Sequence, residues 1–238
     1  MSTINVTNPL IYWTHQYWVD ETDHRIIDYP LINAGPTQMA TIMLLWLFFV
    51  TKCGPNWMKN RKPFVLKEIM ILYNFLLVVI NAYFIYASLR WLKFGHKSWD
   101  PKLIPRDQWS ESFDGEVNEK MFYFYTKLFD LLDTVFFVLR KKTNQVSFLH
   151  LYHHFMVIVE VFCLLNSTVH TVMYLYYLLS AFGPQIQPYL WWKRYITRLQ
   201  LIQFAILIGY IYQITLNLLN GWVSYNPLYS FICSPDFI

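Results

Sequence analysis

The sequence predicts an all-α protein, a polytopic membrane bundle of about six transmembrane helices. Three observations predict it. The chain is 55% hydrophobic and only 14% charged over 238 residues, where soluble domains carry about a quarter charged residues. Its apolar residues gather into stretches near the roughly 20 residues that a helix needs to cross about 30 Å of hydrocarbon. Within lipid a backbone must close its own hydrogen bonds, and a helix does so inside one segment.

The stretches fall at about 32–51, 69–91, 121–139, 146–165, 169–190 and 198–219. Gly35 and Pro36 interrupt the start of the first, and Gly183, Pro184 and Pro188 disturb the end of the fifth. No Gly/Ser-rich linker or low-complexity tract divides the chain, so 1–238 reads as one domain. Cys53, Cys163 and Cys233 form no CxxC pair and cannot make a disulfide framework.

The net charge of +4 is modest, and its placement is more informative. Lys52, Lys59, Arg61, Lys62 and Lys67 lie between the first two spans, Arg140, Lys141 and Lys142 follow the third, and Lys193, Arg194 and Arg198 flank the sixth. The alternate segments are acidic, mixed or uncharged, as in Asp20, Glu21, Asp23 and Asp28, the 93–120 segment, and Asn166 to Thr168. The positive-inside rule then places the basic loops in the cytosol, with both termini on the opposite side. Asn5-Val6-Thr7 becomes a lumenal glycosylation acceptor on this topology. The partners expected of such a chain are the lipid bilayer and its substrates, and no nucleic-acid partner is expected.

Several polar groups lie inside the apolar stretches. Lys127, Asp130, Asp133 and Thr134 recur at three- and four-residue spacing and share one helical face. They read equally as an internal Lys127–Asp130 ion pair that locks two helices together and as the lining of a functional cavity. "FLHLYHHFMVIVE" (148–160) carries His150, His153 and His154 at i, i+3 and i+4. Next, "NSTVHTVMYLYY" places Asn166, His170, Met173, Tyr174 and Tyr177 on one face, the Met and Tyr members as packing. Thr197, Gln200 and Gln203 form a stripe on the sixth span, and interhelical hydrogen bonding is the simpler account of Gln200.

The histidines suit either metal ligation or covalent and proton-transfer chemistry. A histidine-box membrane metal oxygenase, such as a di-iron desaturase, needs roughly eight histidines, whereas this chain has seven, with His15, His24 and His96 in polar segments. A ligating imidazole also wants an outer acceptor, and beyond Glu160 and the two aspartates few are present. Neutral imidazole is a good nucleophile and base near pH 7, and apolar surroundings keep it unprotonated. No bound metal or other cofactor is expected.

From about Asp28 to Phe204 the chain resembles the ELO family of very-long-chain fatty acid elongases. The likeness rests on "GPNWMKNRKPF" (54–64), "KLFDLLDTVFFVLRKK" (127–142), "FLHLYHH" (148–154), "NSTVHTVMYLYY" (166–177), "WWKRYIT" (191–197) and "TRLQLIQF" (197–204), in this order. The resemblance implies a 3-ketoacyl-CoA synthase that condenses a long-chain acyl-CoA with malonyl-CoA, releasing CoA and carbon dioxide. It implies that His153 takes the acyl group as an acyl-imidazole, that His150, His154 and His170 handle protons, and that Asn166 donates to an oxyanion. Lys127, Asp130 and Asp133 would brace the site. Arg140, Lys141, Lys142, Lys193, Arg194, Arg198 and Gln203 would hold CoA, although topogenic charge accounts for the cations equally well. The implied setting is the endoplasmic reticulum membrane, beside the reductases and dehydratase of the elongation cycle.

Against the family pattern, Asp130 stands where glutamate is usual, and the 93–120 segment lacks a cysteine to pair with Cys233. The family's seventh span is not reached by Ile238, and the 154–166 connection is short, so a shortened form is expected. Three connections are open: a turn at Asn166-Ser167-Thr168, which sets His153 and His170 at different depths; a hairpin near Val161 and Phe162, whose arms are too short for half the bilayer core; and one continuous helix, which holds the two histidines about 25 Å apart. Each separates groups that the family brings together, which predicts weak or absent condensing activity. A non-catalytic relative that assembles with an active elongase is therefore the third reading, beside the condensing enzyme and the metal oxygenase.

Overall fold

In the computed structural model the described residues are 26–33, 35–91, 114–147, 150–151, 154 and 163–219. Among them the regular structure is helical throughout, with no strand, as the composition predicts. The helices are α1 (Pro36–Phe48), α2 (Gly54–Met58), α3 (Lys67–Trp91), α4 (Asp114–Asp130), α5 (Leu132–Leu139), α6 (Cys163–Ala181) and α7 (Lys193–Leu219). They divide between two compact units, Met1–Phe64 with Glu111–Val159 and Val65–Ser110 with Glu160–Ile238.

In the first unit, Gly35 and Pro36 start α1 and do not interrupt it. Gly35 takes a left-handed φ of 73° as the N-cap, and Pro36 fills a first-turn position where its missing N–H costs nothing. The span then runs past residue 51, through a π-helical turn at Phe49–Cys53, into α2. Lys52 therefore sits on helix and not in a loop. Gly54 makes this path possible, because a Cβ there would stand 2.8 Å from Val138 Cγ1 and 2.9 Å from the Phe49 carbonyl. A side chain at 54 would collide with the Val138 methyl and with the preceding turn of its own helix.

The core of this unit joins Met43, Trp46, Val50 and Met58 to Leu131 and Val138. It also explains why the third span is two helices. Trp46 Nε1 donates to the Leu131 carbonyl at 3.1 Å, at the point where α4 stops and α5 begins. Trp46→Phe keeps an aromatic ring and removes this donor. It is expected to lower stability by about 1–3 kcal/mol, read as a fall in thermal midpoint in detergent. An unchanged midpoint would show that the bond contributes nothing.

The C-terminus of α5 is closed by a Schellman turn. Lys142 N–H donates to the Phe137 carbonyl at 2.8 Å and Lys141 N–H to the Val138 carbonyl at 3.0 Å, with Lys141 itself at φ 55°. Two further bonds tie this turn to the segment after α2: Lys141 Nζ reaches the Lys59 carbonyl at 3.1 Å, and Phe64 N–H reaches the Leu139 carbonyl at 3.1 Å. Two basic stretches distant in sequence thus meet.

In the second unit α3 is amphipathic in the sense suited to lipid. Its buried stripe is Asn74, Leu77, Asn81, Phe84, Ser88 and Trp91, at alternating three- and four-residue spacing. The opposite stripe, with Ile69, Leu72, Phe75, Val79, Tyr83 and Tyr86, is exposed and wholly apolar or aromatic. Polar groups inside and apolar groups outside is the pattern of a helix bathed in hydrocarbon. Among the described residues α3 and the continuous Pro36–Met58 stretch are long and apolar enough to cross a bilayer. The expected fourth span, about 146–165, lies largely outside the described residues, as do Asn5 and Cys233.

The buried stripe of α3 packs on α6, which overturns the turn expected at Asn166-Ser167-Thr168. Those residues are helical, inside Cys163–Ala181. Their polar atoms find partners on the same helix: Thr168 Oγ1 donates to the Leu164 carbonyl at 2.7 Å, and Ser167 Oγ lies 3.7 Å from Cys163 Sγ. With no glycine or proline present, a polar triplet satisfied in this way does not break a helix. The prediction of weak activity loses the turn on which its first case rested. The fifth span begins earlier and ends earlier than expected, stopped by Gly183 at φ 116° and Pro184, and a 3-10 segment (Pro184–Tyr189) follows. α7 starts at Lys193, so Lys193, Arg194 and Arg198 lie on its first turns and not in a loop. Trp192 meets Tyr176 (ring centroids 5.6 Å) and Gln200 Nε2 donates to Met173 Sδ at 3.6 Å, so α7 runs antiparallel to α6. The interhelical reading of Gln200 holds.

Candidate functional site

Among the described residues each unit carries a buried polar layer. In the first, the spacing that put Lys127, Asp130, Asp133 and Thr134 on one face is realised, and all four are buried. Lys127 Nζ and Asp130 Oδ2 pair at 2.8 Å with side chains only 2% and 1% exposed. The ammonium also lies 4.9 Å from the centroid of the Tyr123 ring. Both partners of the ion pair lie on α4. Two opposite charges desolvated this completely must stay together, because losing one strands the other.

The histidine box begins just after this layer. Ser147 starts a helical turn in the manner of an N-cap: its hydroxyl accepts the His150 N–H at 3.2 Å and its carbonyl accepts the Leu151 N–H at 3.0 Å. That cap sets the direction in which the His150 side chain leaves the backbone. His150 Nε2 then shares a 2.9 Å hydrogen bond with the buried Thr134 hydroxyl. The ring stands 5.4 Å from Phe137 and 4.4 Å from His154, edge to face. His154 is buried and 6.2 Å from Trp46. The i, i+4 spacing thus brings His150 and His154 together. His153 lies outside the described residues.

The second layer belongs to α6 and α3. Asn166 Nδ2 lies 3.4 Å from His170 Nε2, with both residues buried. Tyr174 stacks edge-on against His170 at 5.5 Å and against Tyr73 of α3 at 6.2 Å. Asn74, Asn81 and Ser88 are absent from the sequence-based set, although their seven-residue spacing is a signal for a polar seam. Their donors turn back onto α3, at 2.6 Å to the Met70 carbonyl, 2.8 Å to Leu77 and 2.6 Å to Phe84.

The seven residues assigned to CoA differ in setting. Arg140 is half-buried at the α5 C-cap, while Lys141 and Lys142 are exposed. Lys193, Arg194 and Arg198 are exposed and rest against aromatic rings, Lys193 on Tyr176 at 5.8 Å and Arg198 on Tyr195 at 5.5 Å. Gln203 is buried. Among the described residues no three His, Cys, Asp or Glu side chains are grouped to hold a metal ion. In the first unit, paired imidazoles beside a buried hydroxyl are equipped for nucleophilic attack and proton transfer. In the second, an imidazole beside an amide is equipped for proton transfer and oxyanion stabilisation.

Residues 31–234 match the family described as ELO: GNS1/SUR4. The chain is 40% identical over 217 residues to very long chain fatty acid elongase 1 of Homo sapiens, covering 84% of this chain and 76% of that one. It is 41% identical over 235 residues to very long chain fatty acid elongase 4 of Mus musculus, covering 88% and 70%. It is 38% identical over 211 residues to very long chain fatty acid elongase 7 of Rattus norvegicus, covering 83% and 74%.

Proposed function

Because the chain belongs to the ELO (GNS1/SUR4) family, we propose that it is a very-long-chain fatty acid elongase, condensing a long-chain acyl-CoA with malonyl-CoA to 3-oxoacyl-CoA. The observation that carries this reading beyond similarity is the His150–His154 pair, held by Thr134 inside a chain built for lipid. Titratable groups at such depth are costly and mark chemistry or a pathway.

In the proposed sequence a ring nitrogen of His153 attacks the thioester carbonyl. The C–S bond breaks, the ring N–H proton of His153 passes to His150 or His154, and that residue gives it to the departing CoA thiolate. Malonyl-CoA then loses carbon dioxide, and the electron pair of the broken C–C bond becomes an enolate. The enolate carbon attacks the acyl-imidazole, the C–N bond breaks with its electron pair on the ring, and His153 is regenerated by a proton from water as 3-oxoacyl-CoA forms. His170 and Asn166 serve the oxyanion and the proton, and Lys127, Asp130 and Asp133 brace the layer. Thr134 joins them as a positioning residue, since it holds the His150 ring. The cations Arg140, Lys141, Lys142, Lys193, Arg194 and Arg198 receive the CoA phosphates, which water still reaches at those positions. No resident cofactor takes part. The endoplasmic reticulum membrane is the proposed location, with the reductases and dehydratase of the cycle as partners.

The test is incorporation of radiolabelled malonyl-CoA by the purified chain in lipid nanodiscs supplied with a long acyl-CoA. A product two carbons longer, formed equally with chelator present, is the expected result. Loss of activity on chelation and recovery with iron would favour the metal oxygenase, and no product would favour the non-catalytic relative.

A further inference from the structure

On α7 the enclosed Gln203 has an unanswered oxygen. Ile196, Gln203 and Leu207 are buried and Gln200 is half-buried, a stripe at four-, three- and four-residue spacing turned inward. Gln200 uses its amide N–H on Met173 of α6. Gln203, 3% exposed, has an Oε1 with no hydrogen-bond partner among the described residues. Buried carbonyl oxygens without a donor are rare in native proteins, and each calls for a missing partner.

The helix register says where that partner must come from. Trp192 lies against Tyr176 and Gln200 against Met173, so each step along α7 descends α6. The next turn of α7, at Gln203, is level with the α6 turn before Met173, which carries the buried Val169 and His170. Along α7 it lies about 15 Å beyond Lys193. The oxygen therefore waits level with His170, a proposed catalytic histidine, and below Lys193 and Arg194 at the start of α7.

We propose that Gln203 Oε1 accepts a hydrogen bond from the substrate's carrier arm, from the amide N–H nearest the thioester. This rests on the elongase reading. An acceptor needs a donor, and the phosphates and the thioester carbonyl of an acyl-CoA are acceptors only. Phosphates also cannot follow to an enclosed apolar depth without a large desolvation cost. The neutral arm joining phosphate to thioester carries amide N–H groups, and the one next to the sulfur arrives at the level of His170 when the carbonyl does. Gln203 accordingly reads the arm and not the phosphates, which separates it from the six cations.

The experiment measures affinity of the full chain in phosphatidylcholine nanodiscs for two unreactive thioether analogues of palmitoyl-CoA. One keeps the amide nearest sulfur, and the other has an ester oxygen in place of that N–H. For the wild type the ester analogue should bind about five- to tenfold more weakly, the effect of one neutral hydrogen bond. Gln203→Met should bind both equally, and its ligand-free thermal midpoint should match or exceed that of the wild type. Equal discrimination by both proteins, or a fall in the ligand-free midpoint of Gln203→Met, overturns the assignment and leaves the elongase reading standing. Failure of the wild type to bind either analogue overturns both.

Discussion

Replacing His153 with alanine should abolish acyl transfer while leaving the fold intact. Incubated with a long acyl-CoA, the wild type should acquire an acyl adduct on the peptide containing His153, and His153→Ala none. Elongation should fall by roughly 10,000-fold or more, because removing a covalent nucleophile removes the whole low-barrier route. His150→Ala should retain a detectable adduct, formed more slowly by about 100- to 10,000-fold, since the proposed role of His150 is proton transfer. Its ring is held by Thr134, so Thr134 supports the same step without touching the acyl group. Mass spectrometry of the labelled peptide separates the two roles. An adduct that survives in His153→Ala but disappears in His150→Ala would move the nucleophile to His150.

The second large effect concerns stability. Lys127→Met leaves Asp130 enclosed with its 2.8 Å cation gone. The expected cost is about 3–5 kcal/mol, the usual result of stranding a buried charge. The double variant Lys127→Met/Asp130→Leu removes both charges and puts good helix formers in their place. It should recover most of that loss and fall between neutral and about 4 kcal/mol more stable than the wild type. Equilibrium unfolding in mixed micelles provides the comparison. A single variant costing less than about 1 kcal/mol would mean that water reaches the pair. Elongation by a stable double variant would show the pair to be a brace, whereas a stable but inactive one would give the charges a part in the chemistry.

Much of the polar layer is legible in residue spacing alone. Lys127 and Asp130 share a helical face at three-residue spacing, and they pair. His150 and His154, four apart, stack at 4.4 Å. Asn166 and His170, also four apart, meet at 3.4 Å. All are contacts between residues three or four apart, where local spacing brings side chains together. Composition misleads where a polar residue suggests a boundary. Asn166-Ser167-Thr168 has the residues of a turn, but α6 runs through it because Asn166 and Ser167 are buried on the side that meets α3 and because the hydroxyl of Thr168 bonds back to Leu164. Gly35-Pro36 misleads in the same way, as a pair with the composition of a helix breaker that in fact starts a helix.

Hydropathy and spacing by themselves determined that this is a helical membrane protein, where α3 lies, and which charged and imidazole side chains share a face. These depend on the neighbouring few residues and on the solvent, and both are written locally. Tertiary structure decided what each polar group faces. The Trp46 indole takes the Leu131 carbonyl and divides the third span in two. Asn74, Asn81 and Ser88 become the seam against α6, and Thr134 becomes the holder of His150. Gln200 finds a sulfur on α6, while Gln203, one turn on, has an oxygen with no donor among the described residues. In hydrocarbon a polar atom has no water to fall back on, so its role is set by the helix packed beside it. That neighbour comes from a distant part of the chain, and only folding brings it there.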